Sequence, residues 1–469
     1  MGSPAAAVRT QPQHIRAWPW RIGRFVTLAL ALAGCQNGPA LLGAAPAPLP
    51  LPDSIAVAFN HRSASRYRSP VHNRWRQGDD LEAVLLEGIR SARQELLVAV
   101  QELSLPEIAR ELVQRSRQGV RVRVVLENTY SAPWSEQHPA DLDPRQRHRQ
   151  AQLRALGAGD AVAILRDGGV PMLDDTADGS AGSGLMHHKF MVIDGETVLT
   201  GSANFTASGI HGDADDPHSR GNVNHLLRLQ SPELAALFRA EFERMWGDGP
   251  GGRPDSRFGQ AKGSEPIRWV QLGSSRVGVL FAPHRRSDPA NGLAVIDQQL
   301  AAAQQRLDLA LFVFSEQRLG DRLSQLHDQG VAIRLLADPG FANRSFSEVL
   351  DLLGVNLPDH HCRLEAGNRV RQQPLQGVGT PQLAGGDKLH HKFAVIDDRT
   401  VITGSFNWSP SAAHQNDETL LVIESPLLAA HFRQEVDRLW QGATLGISTR
   451  LQRKLERQRL SCGSGTQRD

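Results

Sequence analysis

The chain contains one stretch twice. The first copy reads His187-His188-Lys189-Phe190-Met191-Val192-Ile193-Asp194 and, after a gap of six, Gly201-Ser202-Ala203-Asn204. The second reads His390-His391-Lys392-Phe393-Ala394-Val395-Ile396-Asp397 and, after the same gap, Gly404-Ser405-Phe406-Asn407. Two copies of H-x-K-x4-D-x6-G-S-x-N require two similar folding units in one chain. With 469 residues there is room for both. A net charge of +2 excludes a nucleic-acid-binding polycation. Lysine is scarce: Lys189, Lys262, Lys388, Lys392 and Lys454 are the only five. A Lys at the same place in both copies therefore suggests a site that needs a compact ammonium.

The duplication extends beyond the paired stretches. Ser54 to Asn60 alternates as a short strand, and Arg276 to Pro283 resembles it in the second half. A helix over 81–93, an apolar run over 96–100, a helix over 105–118 and a strand over 120–126 follow. The later half repeats that order at 293–305, 307–313, 317–329 and 331–337. Strands alternating with helices predict an α/β fold with a largely parallel sheet. After each copy, Leu226 to Pro232 matches Leu420 to Pro426, and the helices that follow end in Met245-Trp246 and Leu439-Trp440. The expected domains are 54–247 and 267–441, joined by a Gly/Pro/Ser-rich linker over 248–266. Residues 442–469 read as a polar tail with a short basic helix. The segments 131–184 and 338–388 read as irregular functional loops.

Residues 1–35 have the layout of an export signal, with Arg9, Arg16, Arg21 and Arg24 ahead of a short apolar core. Leu32-Ala33-Gly34-Cys35 resembles the bacterial lipoprotein box, which implies lipidation of Cys35 and a membrane-anchored protein on the periplasmic or outer side; plain secretion is the alternative. Residues 36–53, rich in Ala, Pro and Leu, read as a tether. Cys362 and Cys462 could pair outside the cytoplasm.

The paired stretches carry the chemistry. Lys189 to Ile193 is a strand, Gly195-Glu196 a turn, and Thr197 to Thr200 the returning strand; the second copy repeats this around Asp398-Arg399. Alternation puts His187 and Lys189 on one face, and Ser202 with Asn204 on one face of the return. The expected phosphate-binding groups are Lys189, Ser202 and Asn204 with Lys392, Ser405 and Asn407. Lysine and asparagine can hold non-bridging phosphate oxygens while a neutral imidazole attacks phosphorus or moves a proton. Displacement at phosphorus needs a nucleophile on one side and an acid on the other, and two facing histidines supply both.

This duplicated pattern resembles the phospholipase D superfamily, in layout over residues 54–441 and specifically over 187–204 and 390–407. The resemblance implies two α/β/α domains related by pseudo-twofold symmetry with the active site at their interface. It implies a phosphohistidine intermediate, no cofactor and no catalytic metal, and, with both motifs in one chain, a monomer. Carried across, His187 is the nucleophile and His390 the general acid and later base; the near-symmetry of the sequence does not itself decide the order. His188 and His391 should point to the other face. Asp194 and Asp397, near the turns, are expected to be structural, as are Gly201 and Gly404.

Glu418, eleven residues after Asn407, is the expected carboxylate that orients a catalytic imidazole. In the first repeat Asp215 falls opposite it without a gap, whereas alignment through the following strand brings Asn224 there; Asp215 is favoured slightly. Metal binding by His187-His188, His390-His391, His211, His218, His225, Asp213, Asp215 and Asp216 competes weakly, because adjacent histidines on a strand point apart and no Cys joins them.

Two substrates fit this chemistry. The lipoprotein-like signal favours phospholipid hydrolysis. The arginines over 145–154 and 363–371 would suit a nuclease, although aromatic residues are not interleaved with them. A phosphatidyl transferase resembling cardiolipin synthase is a lesser alternative, and an anion-binding module without catalysis the least.

Overall fold

A computed structural model describes residues 49–157, 159–180 and 184–462; Cys35 and the signal-like segment lie outside the described residues. Each repeat builds one sheet. In the first the strand order is Ile55–Phe59, His225–Gln230, Thr197–Gly201, Lys189–Ile193, Glu95–Val100, Arg121–Leu126 and Met172–Asp174. The second follows the same order with Ser275–Ala282, Glu418–Glu424, Thr400–Gly404, Lys392–Ile396, Arg306–Leu311, Ala332–Ala337 and Val378–Thr380. It adds Arg268–Leu272 at one edge and Thr444–Leu445 at the other.

The expectation of largely parallel sheets fails. Only the strands joined through helical crossovers run parallel, as Glu95–Val100 does with Arg121–Leu126. The hairpin Lys189–Ile193/Thr197–Gly201 enters antiparallel, and so does its neighbour His225–Gln230. A short turn can only reverse the chain, so each duplicated stretch forces antiparallel pairing at the centre of its sheet.

The segment 131–184 is not irregular. It contains the helices Pro144–Leu156 and Ala161–Asp167. Asp143 begins the first with a capping box, and Asp160 caps the second through the Val162 and Ala163 amides. The basic run 145–149 therefore lies on a helix. At the other end the basic tail helix spans Thr449–Cys462, and Cys462 is disulfide-bonded to Cys362.

Ser231-Pro232 and Ser425-Pro426 start the long helices Pro232–Trp246 and Pro426–Trp440, each Ser accepting an amide hydrogen bond and each Pro occupying the first turn. Apolar residues of both helices and both sheets share one core, including Phe190, Phe238, Phe393 and Phe432. Phe393 and Phe432 meet edge to face at 4.9 Å. Burying one such ring is worth about 1.5–3 kcal/mol. The described residues accordingly form one compact unit. Among the described residues no helix is long and apolar enough to cross a membrane.

Candidate active site

Main-chain bridges cross between the repeats where each duplicated stretch begins. The His187 amide donates to the Asp417 carbonyl and the His390 amide to the Val223 carbonyl, at 3.0 and 3.1 Å. Each motif histidine is thus laid beside the segment that starts the last strand of the other repeat. The residues next in line, Glu418 and Asn224, reach the opposite histidine.

Glu418 Oε2 accepts from His187 Nδ1 at 2.7 Å. Asn224 Oδ1 accepts from His390 Nδ1 at 3.0 Å. The amide is oriented by its own bonds, since Asn224 Nδ2 donates to the Gly209 carbonyl at 2.8 Å. Asp215, the favoured candidate, lies apart and accepts from Gln152 at the surface. Nine additional residues in the first repeat displace it, and strand pairing delivers Asn224 instead. His187 and His390 are chemically unequal as a result: one imidazole has a carboxylate partner and the other a neutral amide.

Ser202 and Ser405, expected to hold phosphate, do something else. The Ser405 hydroxyl donates to Glu418 Oε2 at 2.6 Å and the Ser202 hydroxyl to Asn224 Oδ1 at 2.8 Å. Each returning strand therefore fixes the group that orients the other repeat's histidine.

Lys189 and Lys392 are buried, and each donates through Nζ to the carbonyl of its own motif histidine at 2.8 Å. Their surroundings differ. Lys189 Nζ also reaches Gln101 Oε1 at 3.3 Å, which accepts in turn from Asn204 Nδ2 at 3.2 Å. Lys392 Nζ lies 4.8 Å from the Phe312 ring centroid, and that ring packs against His390 at 4.7 Å. Gln101 and Phe312 follow equivalent strands, and aligning the repeats one residue further exposes the difference. Asn204 Oδ1 and Asn407 Oδ1 are buried without a hydrogen-bond partner in the protein. A half-turn of either amide would offer Nδ2 to a phosphate oxygen.

The electrostatics follow from burial. Burial pushes the Lys189 ammonium down to about 7, with Glu418, Glu102 and Glu127 opposing the shift. Lys392 is lowered well below its usual value by burial and by Lys189. Burial and the two ammoniums also hold His187 and His390 well below the usual histidine range. Glu418 is pushed up to about 7 by burial, against the pull of Lys189 and the Ser405 hydroxyl. Two crowded ammoniums and two neutral imidazoles around one carboxylate form a site that gains from receiving an anion.

His188 and His391 do face the other way. His188 bonds Thr419 Oγ1 at 2.9 Å and Glu241 at 3.1 Å. His391 lies 3.0 Å from His225 Nδ1 and 3.1 Å from Glu435. Lys262, in the region read as a linker, is buried in an ion-pair cluster with Glu241 and Asp417. No sequence pattern pointed to it, because its neighbours Gly259, Gly263 and Pro266 signal a loop. Asp194 and Asp397 sit at φ 52° and 49°, each accepting three successive amides: 93–95 for the first and 304–306 for the second. They anchor the entry to the neighbouring strand. Gly201 and Gly404 lie so close to the next strand that a side chain would strike its backbone.

Glu102, near enough to act on Lys189, is paired with Arg149 at 2.7 Å, and Arg149 lies over the Tyr130 ring. Arg369 and Arg371 are ion-paired with Asp321 and Asp328, and Arg363 lies near Asp359. Among the described residues no group of three or more His, Cys, Asp or Glu is arranged to hold a metal ion. Burial pushes Glu127 up to about 7, with Asp175 adding to the shift.

The chain matches the family described as "Cardiolipin synthase, PLD-like domain" over residues 85–246 and 296–440. It is 32% identical over 159 residues to the mitochondrial cardiolipin hydrolase of Homo sapiens, covering 34% of this chain and 53% of that protein. It is 28% identical over 164 residues to a phospholipase D of Rickettsia prowazekii, covering 35% and 67%. The chain thus spans little more than half the length of the cardiolipin hydrolase it matches. In fold it is similar to the phosphatidylserine synthase of Haemophilus influenzae, with a TM-score of 0.51 at 13% identity over 86% of this chain and 94% of that one.

Proposed function

The chain belongs to the phospholipase D-like family, and from that premise we propose that it hydrolyses a phospholipid phosphodiester by a metal-independent route through a phosphohistidine. The observation that carries the proposal is the crossed pairing of His187 with Glu418 and His390 with Asn224. With Nδ1–H donated to the carboxylate, His187 Nε2 keeps its lone pair for attack on phosphorus, and Glu418 stabilises the positive charge that then develops on the ring. The anionic diester favours protonation of His390, which takes up a proton from solvent as the substrate binds. With only a neutral acceptor at Nδ1 that imidazolium is the stronger acid, and its Nε2–H goes to the leaving oxygen. The bond from phosphorus to the leaving alcohol breaks as the bond to His187 forms. Water then attacks the phosphohistidine, His390 takes its proton, and the phosphomonoester leaves. Lys189 and Lys392, with Asn204 and Asn407, hold the non-bridging oxygens.

The choice of lipid over nucleic acid rests on the arginines of 145–154 and 363–371 and on the acids near Lys189. Of those seven arginines, four are matched to carboxylates: Arg149 to Glu102, Arg363 to Asp359, Arg369 to Asp321 and Arg371 to Asp328. Glu102 and Glu127 also lie close enough to act on the Lys189 ammonium, and acids there disfavour a polyanion. The names of the similar proteins, cardiolipin hydrolase and phospholipase D, support the same choice. Export to an oxidising compartment, with anchoring through Cys35, and action as a monomer are parts of the proposal. The Cys362–Cys462 disulfide supports the first, and the presence of both motifs in one chain supports the last.

The test compares hydrolysis of phosphatidylcholine and cardiolipin vesicles with cleavage of single- and double-stranded DNA, all in excess EDTA. Lipid turnover with DNA intact is expected. Cleavage of DNA alone would reassign the substrate, and loss of all activity in EDTA would overturn the mechanism.

A further inference from the structure

We propose that the hairpin Arg66–Ser69/Arg74–Gln77 is a docking surface for an anionic phospholipid bilayer. The proposal rests on the phospholipid reading above and extends it to how the enzyme meets its substrate. The hairpin is a two-stranded sheet that joins neither main sheet. Its register places Arg66 opposite Gln77 and Arg68 opposite Trp75, so those four side chains share one face. The other face is the buried one, with Tyr67 and Ser69 turned inward and the Tyr67 hydroxyl 2.9 Å from His211 Nδ1.

The outer face is open to solvent, and the hydrogen bond from Arg68 to the Asn73 carbonyl stays within the hairpin. Trp75 is 66% exposed, and the Arg66 guanidinium lies over its ring at 5.4 Å. Residues 62–77 contain five arginines and no acid. Arg62 is ion-paired with Asp79, and Arg76 caps backbone carbonyls of the fold. Neither Arg66 nor Arg68 has a carboxylate partner among the described residues. An open indole beside unneutralised guanidiniums matches the level of the bilayer where Trp settles and where anionic headgroups attract arginine. Single-stranded nucleic acid would use a row of rings along a groove, and this face offers one ring.

The root of the hairpin ties it to the catalytic site. Arg76 donates to the His211 and Arg220 carbonyls. The Arg220 amide donates to Asp387 at 2.8 Å and the Lys388 amide to Asn222 at 2.9 Å. The braced segment ends at Asn224, the partner of His390. A bilayer held by the hairpin is therefore held beside the His390 half of the site.

The experiment uses the full chain with Cys35→Ser, so that no acyl anchor contributes, and His187→Ala, so that the vesicles are not consumed. Sedimentation is measured with vesicles of phosphatidylcholine alone and of phosphatidylcholine mixed equally with phosphatidylglycerol. The parent is expected to prefer the mixed vesicles. Trp75→Ala and the double change Arg66→Ser/Arg68→Ser should each weaken that binding about tenfold. With His187 intact, the same changes should leave hydrolysis of a water-soluble phosphodiester unaltered. Undiminished vesicle binding in both variants would overturn the proposal. Loss of single-stranded DNA binding with vesicle binding retained would overturn it in favour of a nucleic-acid surface. Substrate class is read from the products of the enzyme with His187 intact, so a wrong substrate and a wrong docking surface give different results.

Discussion

Glu418 of the second repeat orients His187 of the first, Oε2 to Nδ1 at 2.7 Å, while the Ser405 hydroxyl shares the same carboxylate oxygen. The active site is therefore built by exchange, and neither repeat holds a complete half. Replacing Glu418 with Gln keeps the shape but removes the charge that, in the proposed mechanism, stabilises a cationic phosphohistidine. Glu418→Gln should lower kcat about 10²–10⁴-fold with little change in KM for a soluble diester. Steady-state kinetics and quantification of trapped phosphohistidine check this, and phosphate trapped on His390 in the parent would reverse the assigned roles.

Asn224 is the matching position on the other side, and in the proposed mechanism its neutrality keeps the His390 imidazolium acidic. Asn224→Asp places a carboxylate at His390 Nδ1 and stabilises the imidazolium, so the His390 pKa rises. A raised pKa keeps the proton to higher pH but makes its donor weaker. The expected outcome is a pH–rate limb for leaving-group protonation that moves to higher pH, with a lower plateau. A profile that does not move would remove Asn224 from the tuning of His390.

The fold and the site differ in how far they could be read in the sequence. His187, Lys189, Asn204 and their second-repeat counterparts were legible because strand alternation fixes which side chains share a face. The Ser-Pro helix starts were legible for a similarly local reason. The exchange of Glu418 and Asn224 was not, because it depends on bridges such as His390 to Val223 that join residues distant in sequence. Asp215 was preferred over Asn224 because an ungapped count ignores an inserted loop, whereas the pairing of His225–Gln230 with the neighbouring strand does not. Sheet direction failed for a related reason: helix–strand alternation reports the crossovers and is silent about the hairpin between them.

Lys262 shows how a linker can be part of the core. Its ammonium lies between Glu241, which bonds His188, and Asp417, whose carbonyl accepts the His187 amide. Removing it would leave two buried carboxylates without their cation, a change that typically costs about 3–5 kcal/mol. Lys262→Met should lower the Tm, and where the chain still folds it should reduce kcat more than it raises KM, because the segment bearing Glu418 loses its anchor. Burial opposes ionisation of Glu241, but Lys262 and His188 outweigh it and hold the carboxyl down at about 2. A depressed pKa contributes stability that is complete above the unfolded value near 4.3 and disappears as the pH falls toward about 2. Acid unfolding of the parent should show this window, and Lys262→Met should shift the transition to higher pH.

The buried ammonium of Lys189 sets a limit on the alkaline side. Its pKa is pushed to about 7 by burial before any anion is bound. The protonated form binds phosphate, so affinity for an anion should be full below about 7 and weaken as the pH rises through that value. Bound phosphate favours the charged form, so binding near neutral pH should take up a proton. Calorimetry with inorganic phosphate in buffers of different ionisation enthalpy measures that uptake directly. Lys189→Arg keeps its charge throughout and should reduce both the proton uptake and the decline above neutrality by the share Lys189 contributes, although the bulkier fork binds less tightly. Equal proton uptake by Lys189→Arg would assign the titration to another group.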